Sequence, residues 1–415
     1  MSKIYLVVYN VLTILALPII AIAVLFNKKY RKELFYKIGE RFACFKPFNK
    51  NLTKKTIWIH CASLGEVRAV EPLLNGLKDD YFIVLTSLTK SGREYAAKLQ
   101  KIGFVCLLPL DIYPIMKKAF NIINPDLLVI LETELWASML YAAAHKNTKI
   151  ITVNGRMSEK SFCVYKKARF FWEKFVGFIN VVIARSAEDA ERFRYLTQGK
   201  SIILVSGNIK YDKDFNTIAK REDFLLKDTD FVFTAGSVRL KEAELIVDAY
   251  KKVEKNFKIF FAPRHLSRIN EIEDILTENH INYSLFSSND FNEDFVLIDI
   301  FGKLNDIYSI SDICFVGGSL IDKGGQNPIE PAAYGKPVLF GKYMDNFKTE
   351  AECLLKSGGA FIVKDSDDLA KKINMFISNK HFIKNVGDLA LQTVSKQKGT
   401  VSFTIDKIKE ILDAK

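Results

Sequence analysis

The chain has 415 residues, 49% of them apolar and 26% charged, with a formal net charge of +12. That length and apolar content exclude a disordered polypeptide and fit about two domains of ordinary size. The charge points to an anionic partner, whether nucleic acid, a membrane surface or a phosphorylated substrate.

In chain order, the first element is IYLVVYNVLTILALPIIAIAVLF (residues 4–26), which carries no charged residue and is long enough to span a bilayer. A cleaved signal peptide would have a shorter apolar stretch and a small-residue cleavage site, whereas NKKYRKELFYKIGERF follows at once. Residues 1–27 are therefore predicted to be an uncleaved membrane anchor. Residues 27–55 hold ten Lys/Arg against two Glu, with only Lys3 and the amino terminus on the other side. The positive-inside rule then places everything after residue 27 in the cytoplasm. Within the basic segment 28–55, Leu34, Phe35, Ile38 and Phe42 share one helical face. That pattern suits an interfacial helix on anionic lipid, and equally a solvated basic stretch packed on the domain.

From residue 56 short β-rich runs alternate with helical segments: TIWIHCAS, YFIVLTSL, FVCLLPL, LLVILET, KIITVNG, NVVIARS and SIILVSG. Continuous apolar strands separated by helices predict a parallel sheet covered on both faces. The alternation restarts near residue 230 with FVFTAGS, KIFFAPR, FVLIDIF, ICFVGGS, KPVLFG and AFIVK. The polar stretch between the series, residues 211–229, is the predicted linker. The expected architecture is α/β, with Rossmann-like domains over 56–210 and 230–395, a cleft between them, and a helix over 396–415 that packs back across the linker. Six scattered cysteines (Cys44, Cys61, Cys106, Cys163, Cys314, Cys353) form no CxxC pair and five histidines form no HxxxH or HExxH. The cysteines look like buried hydrophobes in a reducing compartment, and the sequence offers no structural metal site.

Ligands of open α/β sheets bind beyond the carboxyl ends of the strands, so the polar junctions there carry the function. In SLGE, Glu66 is either a capping-box glutamate paired with Ser63 or a base kept ionised by the helix dipole. LLVILETELW puts Glu132 and Glu134 at the end of the fourth strand, as paired or near-solvent acids or as ordinary first-turn charge. Arg156 and Lys210 follow later strands, where they can hold an anion or pair with those glutamates. Pro263, Arg264 and His265 end a strand, and an Arg there is a phosphate ligand or a surface ion pair. CFVGGSLIDKGGQNPIEPAAYGKPVLFG (314–341) has two Gly pairs and a helix start at NPIEP suited to phosphate, with Glu330 placed to accept from ribose hydroxyls; its alternative is a Gly-rich connector. No GxGxxG follows the first strand of either series and there is no Walker A sequence, which argues against a dinucleotide dehydrogenase and a P-loop enzyme. DKD at 212–214 and DTD at 228–230 lie in the linker and read as solvated charge.

Taken in order, SLGE, ETELW, NGRMS, GNIKYD, APRH, FVGGSL, GGQNPIEPAA and the basic anchor resemble the Kdo (3-deoxy-D-manno-oct-2-ulosonic acid) transferases of lipopolysaccharide synthesis, over nearly the whole chain. The resemblance implies a GT-B fold with the acceptor on the first domain and CMP-Kdo on the second. It implies transfer of Kdo to the lipid A precursor with inversion and no bound metal or other cofactor, at the cytoplasmic face of the inner membrane. The partners implied are CMP-Kdo, the lipid A precursor and the anionic inner-membrane surface, with no nucleic acid and no obligate protein partner. Glu66 matches the family's catalytic base, and Glu132 and Lys210 match positions that stabilise the transition state, with Glu134 a rival to Glu132. Pro263–Arg264, Phe301–Gly302–Lys303 and Asn327–Pro328–Ile329–Glu330 match the segments that contact CMP. Two positions depart from the pattern: Lys303 stands where relatives have an acid, and Gln326 where His is common. The alternatives are another GT-B transferase that uses a UDP-sugar, and a non-catalytic basic protein that binds anionic lipid through residues 27–55.

Overall fold

A computed structural model of the chain describes residues 2–26, 35–50, 53–213, 215, 218–254 and 256–413. The chain divides into two compact units, residues 1–213 with 398–415, and residues 214–397.

The first unit is built on a seven-stranded sheet, β1 (Thr56–Cys61), β2 (Phe82–Ser87), β3 (Phe104–Leu107), β4 (Leu127–Leu131), β5 (Lys149–Gly155), β6 (Val181–Ala184) and β7 (Ile202–Val205), in the order β3-β2-β1-β4-β5-β6-β7. Every neighbouring pair is parallel. The run TIWIHC is apolar on both faces because both faces are covered. Trp58 with Val84 and Leu128 packs into one core, and Ile57 and Ile59 with Leu85 and Val129 into the other. The indole of Trp58, fully buried, donates to Thr86 Oγ1 at 2.9 Å, so its one polar atom is satisfied inside the sheet.

The ends of the chain belong to this unit. The amino-terminal helix Ser2–Phe26 is apolar and long enough to cross a membrane. Of the segment expected to be interfacial, Leu34 lies outside the described residues. The short helix Ile38–Arg41 behind it is pinned by polar side chains. Glu40 pairs with Arg93 at 3.0 Å and accepts from Leu107 N, and Arg41 donates to the carbonyls of Leu88 and Leu108. Phe35, Ile38 and Phe42 stay exposed. The described part packs on the domain through polar bonds and leaves these three apolar side chains facing outward. Phe45 and Phe48 then stack on Phe104 and Phe82, so residues 38–48 are part of the unit's body. At the other end, the helix Thr400–Asp413 packs on the helix Leu64–Leu77 so closely that a Cβ at Gly76 would meet Ile405 Cδ1 at 2.3 Å.

The second unit carries β8 (Val232–Val238), β9 (Lys258–Pro263), β10 (Tyr283–Leu285), β11 (Phe295–Leu297), β12 (Ile313–Val316), β13 (Val338–Phe340) and β14 (Ala360–Ile362), again all parallel, in the order β10-β11-β9-β8-β12-β13-β14. The edge strand β10 is absent from the sequence reading, because three residues without an apolar run give no periodic signal.

Several sequence expectations need correction. Residues 218–229 are not a free connector: Phe224 is buried against Phe260, Phe286 and Phe291, and the Arg221 guanidinium donates to the carbonyls of Ile310 and Asp230. Asp212 is not solvated charge. Its carboxylate accepts from Gly399 N at 2.6 Å and Val401 N at 2.5 Å, capping the first turn of the carboxyl-terminal helix. Cys44 and Cys163 are exposed, whereas Cys61, Cys106 and Cys314 are buried as expected of small hydrophobes. Losing a cap of this kind costs about 1 kcal/mol. Asp212→Ala is therefore expected to lower the melting temperature and to speed hydrogen exchange over residues 400–413 in particular; exchange unchanged there would refute the cap.

Candidate active site

In the first sheet the strand order reverses between β1 and β4, and the chain leaves both strands at the same edge. Glu66 and Glu132 are the acids that follow them. Ser63 stands at the N-cap of the helix Leu64–Leu77 and accepts from Glu66 N. The Glu66 carboxylate turns back to accept from Ala62 N at 2.8 Å and from Ser63 Oγ at 3.1 Å. Capping and poising are thus the same set of contacts. Burial, then the charge of Glu132, pushes the Glu66 carboxyl up to about 7, against the pull of the Ala62 N–H. The Cys61 thiol at the end of β1 is raised by burial and by the fields of Glu66, Glu132 and Glu134, which places all three carboxylates around the same strand end.

Glu132 has φ 54, a left-handed backbone that is costly for a non-glycine residue. The turn is held by Glu132 N donating to Val153 O at 3.0 Å, and it aims the side chain at Lys210, with 3.9 Å between Nζ and Oε1. Lys210 is positioned in turn by buried Asn208, whose side chain accepts from Lys210 N, and by Asn154, which accepts from Ile209 N. Glu134 takes a different route: Trp136 Nε1 donates to it at 2.9 Å, and burial raises its carboxyl. Of the two acids in ETE, Glu132 is the one that pairs with Lys210, and its charge weighs more on Glu66 than that of Glu134 does. Glu66, Glu132 and Lys210 form one constellation.

The second unit repeats the geometry at the reversal between β8 and β12. Pro263 ends β9, and Arg264 follows with an exposed side chain and its N–H on Val238 O at 2.7 Å. Phe301, Gly302 and Lys303 precede the helix Leu304–Ile310. Phe301 is exposed, Gly302 has φ +93 with open space where a Cβ would stand, and Lys303 reaches Asp306 at 3.5 Å. Asn327 Oδ1 accepts from Ile329 N at 3.1 Å, and Glu330 lies in the first turn of the helix Ile329–Ala333. That helix corrects the expectation of a phosphate-binding start. It is five residues long, Pro328 and Pro331 carry no N–H, and the Ile329 donor is already used.

One group that sequence reasoning missed organises this edge. Glu242 is fully buried, and its carboxylate accepts from Gly318 N (2.6 Å), Ser319 N (2.9 Å), Leu320 N (2.9 Å) and Arg239 N (3.0 Å). It ties the FVGGSL turn to the junction after β8. Gly317 is required beside it, because a Cβ would lie 2.5 Å from Ser237 O. The available signal was its position three residues after the helix N-cap Arg239, the capping-box spacing.

Two outcomes follow from this chemistry. A carboxyl whose value rises from about 4.5 unfolded to about 7 folded favours folding of the protonated form. That advantage is complete below pH 4.5 and lost as pH climbs through 7, on the order of 3 kcal/mol. Glu66→Gln should therefore gain stability relative to the parent between pH 5 and pH 8 in paired thermal melts; parallel curves would refute the raised value. Glu242→Gln offers one acceptor oxygen where two now serve, and should cost on the order of 3 kcal/mol in denaturant unfolding.

Residues 36–213 match the family model for 3-deoxy-D-manno-octulosonic-acid transferases (kdotransferases). The 3-deoxy-D-manno-octulosonic acid transferase of Haemophilus influenzae is 30% identical over 86% of this chain and 87% of its own length. That of Rickettsia bellii is 30% identical over 94% and 95%. A bifunctional glycosyltransferase/methyltransferase of Fusobacterium nucleatum is 33% identical over 97% of this chain, which spans 64% of that longer protein. In fold, the chain is similar to a glycosyltransferase from Rickettsia africae (TM-score 0.61, 17% identity, 87% of this chain and 100% of that one). It is equally similar to Anabaena HepE in complex with UDP (TM-score 0.61, 14% identity, 87% and 100%). Two seven-stranded parallel sheets of the GT-B type, and identity that runs the length of two Kdo transferases, lead to one conclusion: the chain belongs to the Kdo transferase family of glycosyltransferases.

Proposed function

We propose that the protein transfers Kdo from CMP-Kdo to a lipid A precursor, with inversion and without a bound metal, while its amino-terminal helix holds it at the cytoplasmic face of the inner membrane. The observation that carries the reading is the pair of acids at adjacent strand ends, Glu132 at 3.9 Å from Lys210 and Glu66 held by Ala62 N and Ser63 Oγ, with burial and the charge of Glu132 pushing the Glu66 carboxyl up to about 7. A base near neutrality is half ionised at working pH and still strong enough to accept a proton. Glu66 takes the proton of the acceptor hydroxyl as its oxygen bonds to the anomeric carbon of Kdo. The bond from that carbon to the phosphate oxygen breaks, and CMP leaves with the electron pair. Glu66 then returns its proton to solvent. Glu132 and Lys210 stabilise the charge that develops around the reacting centre.

The donor falls to the second unit. The guanidinium of Arg264, at the end of Pro263, opposes the charge growing on the leaving phosphate. The open left-handed turn at Gly302, flanked by Phe301 and Lys303, lets backbone approach the nucleotide, and this also makes Lys303 tolerable where relatives carry an acid. Asn327, Pro328 and Ile329 shape the turn that presents Glu330 to ribose hydroxyls. Anionic substrates on both sides match a net charge of +12.

Mass spectrometry of products from purified protein, CMP-Kdo and a lipid A precursor tests the reading, with UDP-hexoses as competing donors and a chelator arm for the metal. A Kdo adduct from CMP-Kdo alone, insensitive to chelator, is expected. Glu66→Gln should lower turnover by about 100-fold or more with CMP-Kdo binding retained, and Arg264→Ala should raise KM for the donor. Full turnover by Glu66→Gln would overturn the base, and a hexose product would overturn the donor.

A further inference from the structure

The amino-terminal helix is not a free rod. Tyr5 packs on Phe170 and Phe171, Tyr9 packs on Phe171, and Leu6 is buried in the core of the first unit. Two polar bonds fix the helix in register. Tyr9 Oη donates to Asp111 Oδ2 at 2.8 Å, and the Asn10 side-chain oxygen accepts from Tyr113 N at 2.6 Å. Asp111 is itself buried and accepts from Ser138 N and Met139 N at the start of the helix Ala137–His145. That helix directly follows Trp136, whose indole holds Glu134. The docked half of the apolar helix is therefore hydrogen-bonded into the segment that carries the acids of the site.

Docking and crossing exclude each other. In a crossing helix with its start on the far side, residues 5–10 would lie in the distal leaflet, yet they contact a unit whose helices Glu159–Lys167 and Arg169–Val176 carry Lys166, Lys167 and Lys174. Only residues 11–26 are left to reach across. At 1.5 Å per residue they rise about 24 Å, against a hydrocarbon core of about 30 Å. The face turned away from the unit is apolar, with Ile4, Val8, Leu12 and Leu15 exposed. It continues to exposed Phe170, which touches Tyr5. On the helix Glu159–Lys167, Lys160, Cys163, Val164 and Lys167 share one exposed face, half apolar and half basic. Exposed Phe42 sits nearby, since Arg41 O accepts from Leu110 N, one residue before Asp111. An apolar sheet of side chains rimmed by lysines fits a single leaflet with anionic headgroups.

We infer that the amino-terminal helix does not span the membrane: residues 5–10 are a structural part of the acceptor-binding unit, and the helix lies with its outer face in one leaflet, seating the acidic site at the bilayer surface. This rests on the proposal that the helix holds the protein at a membrane, but not on the reaction it catalyses. The bilayer is thereby part of the acceptor subsite. A lipid acceptor is met where its headgroup already lies, and no flexible tether separates anchor from catalyst.

The test is the side of the membrane on which residue 3 lies. Lys3→Cys and, as a reference in the second unit, Lys396→Cys are placed separately in the full chain with Cys44 and Cys163 changed to serine. A membrane-impermeant maleimide is applied to intact spheroplasts, to inverted vesicles and after detergent. The expected result is that both cysteines stay unlabelled in spheroplasts, and that Lys3→Cys reacts in inverted vesicles or once detergent removes the lipid. Labelling of Lys3→Cys in intact spheroplasts, with Lys396→Cys protected, would establish a spanning helix and overturn the inference. The readout requires no turnover, so failure of the Kdo assay leaves it intact.

Discussion

Three carboxylates, Glu66, Glu132 and Glu134, leave two adjacent buried strands within reach of one another's charge, and the first unit is organised around that cost. Burying like charges together is unfavourable unless hydrogen bonds, a counter-charge or a proton intervene. Each solution is present at a different residue. Trp136 answers Glu134 with an N–H, and Lys210 answers Glu132 with a positive charge. Glu66, answered only by an N-cap and a backbone N–H, is left to hold a proton near neutrality. Two hydrogen bonds do not offset burial and the charge of Glu132 at Glu66, so its protonation changes near neutrality, and this is what a base requires.

The second unit meets a related constraint in the opposite way. There a single buried carboxylate, Glu242, is fully compensated by four backbone N–H groups. It spends its charge on shape, holding the FVGGSL turn against the junction after β8, where Gly317 alone allows the backbones to approach. Identical side-chain chemistry thus yields a poised acid in one sheet and a rigid brace in the other. The count of donors around each carboxylate decides which.

The amino-terminal helix shows how far apolar composition can mislead about mechanical role. In length and apolar composition it is fit to cross a membrane. Two polar bonds, Tyr9 to Asp111 and Asn10 to Tyr113 N, nevertheless join it to the fold. A uniformly apolar helix has no reason to carry Tyr and Asn four and five residues after another Tyr on one face. Those residues mark the face that meets protein rather than lipid.

The amino-acid sequence alone determined the sheets. Apolar runs such as TIWIHC and KIFFAP can be satisfied only with both faces covered, so their parallel arrangement, and the edge at which chemistry gathers, were legible before any coordinates. Glu66, Glu132, Lys210 and Arg264 stood out as polar residues at the ends of such runs, but each carried an ordinary alternative, and it was the ordered set of motifs that singled them out. What the sequence left open were choices that depend on partners distant in the chain. Whether Glu132 or Glu134 meets a positive charge turns on a left-handed residue and a lysine 78 positions on. Asp212 read as linker charge until its acceptor role at residues 399–401 appeared. The proline-interrupted start at Ile329 and the brace at Glu242 have the same origin: composition states what a residue can bond, but only the tertiary structure decides which donors arrive.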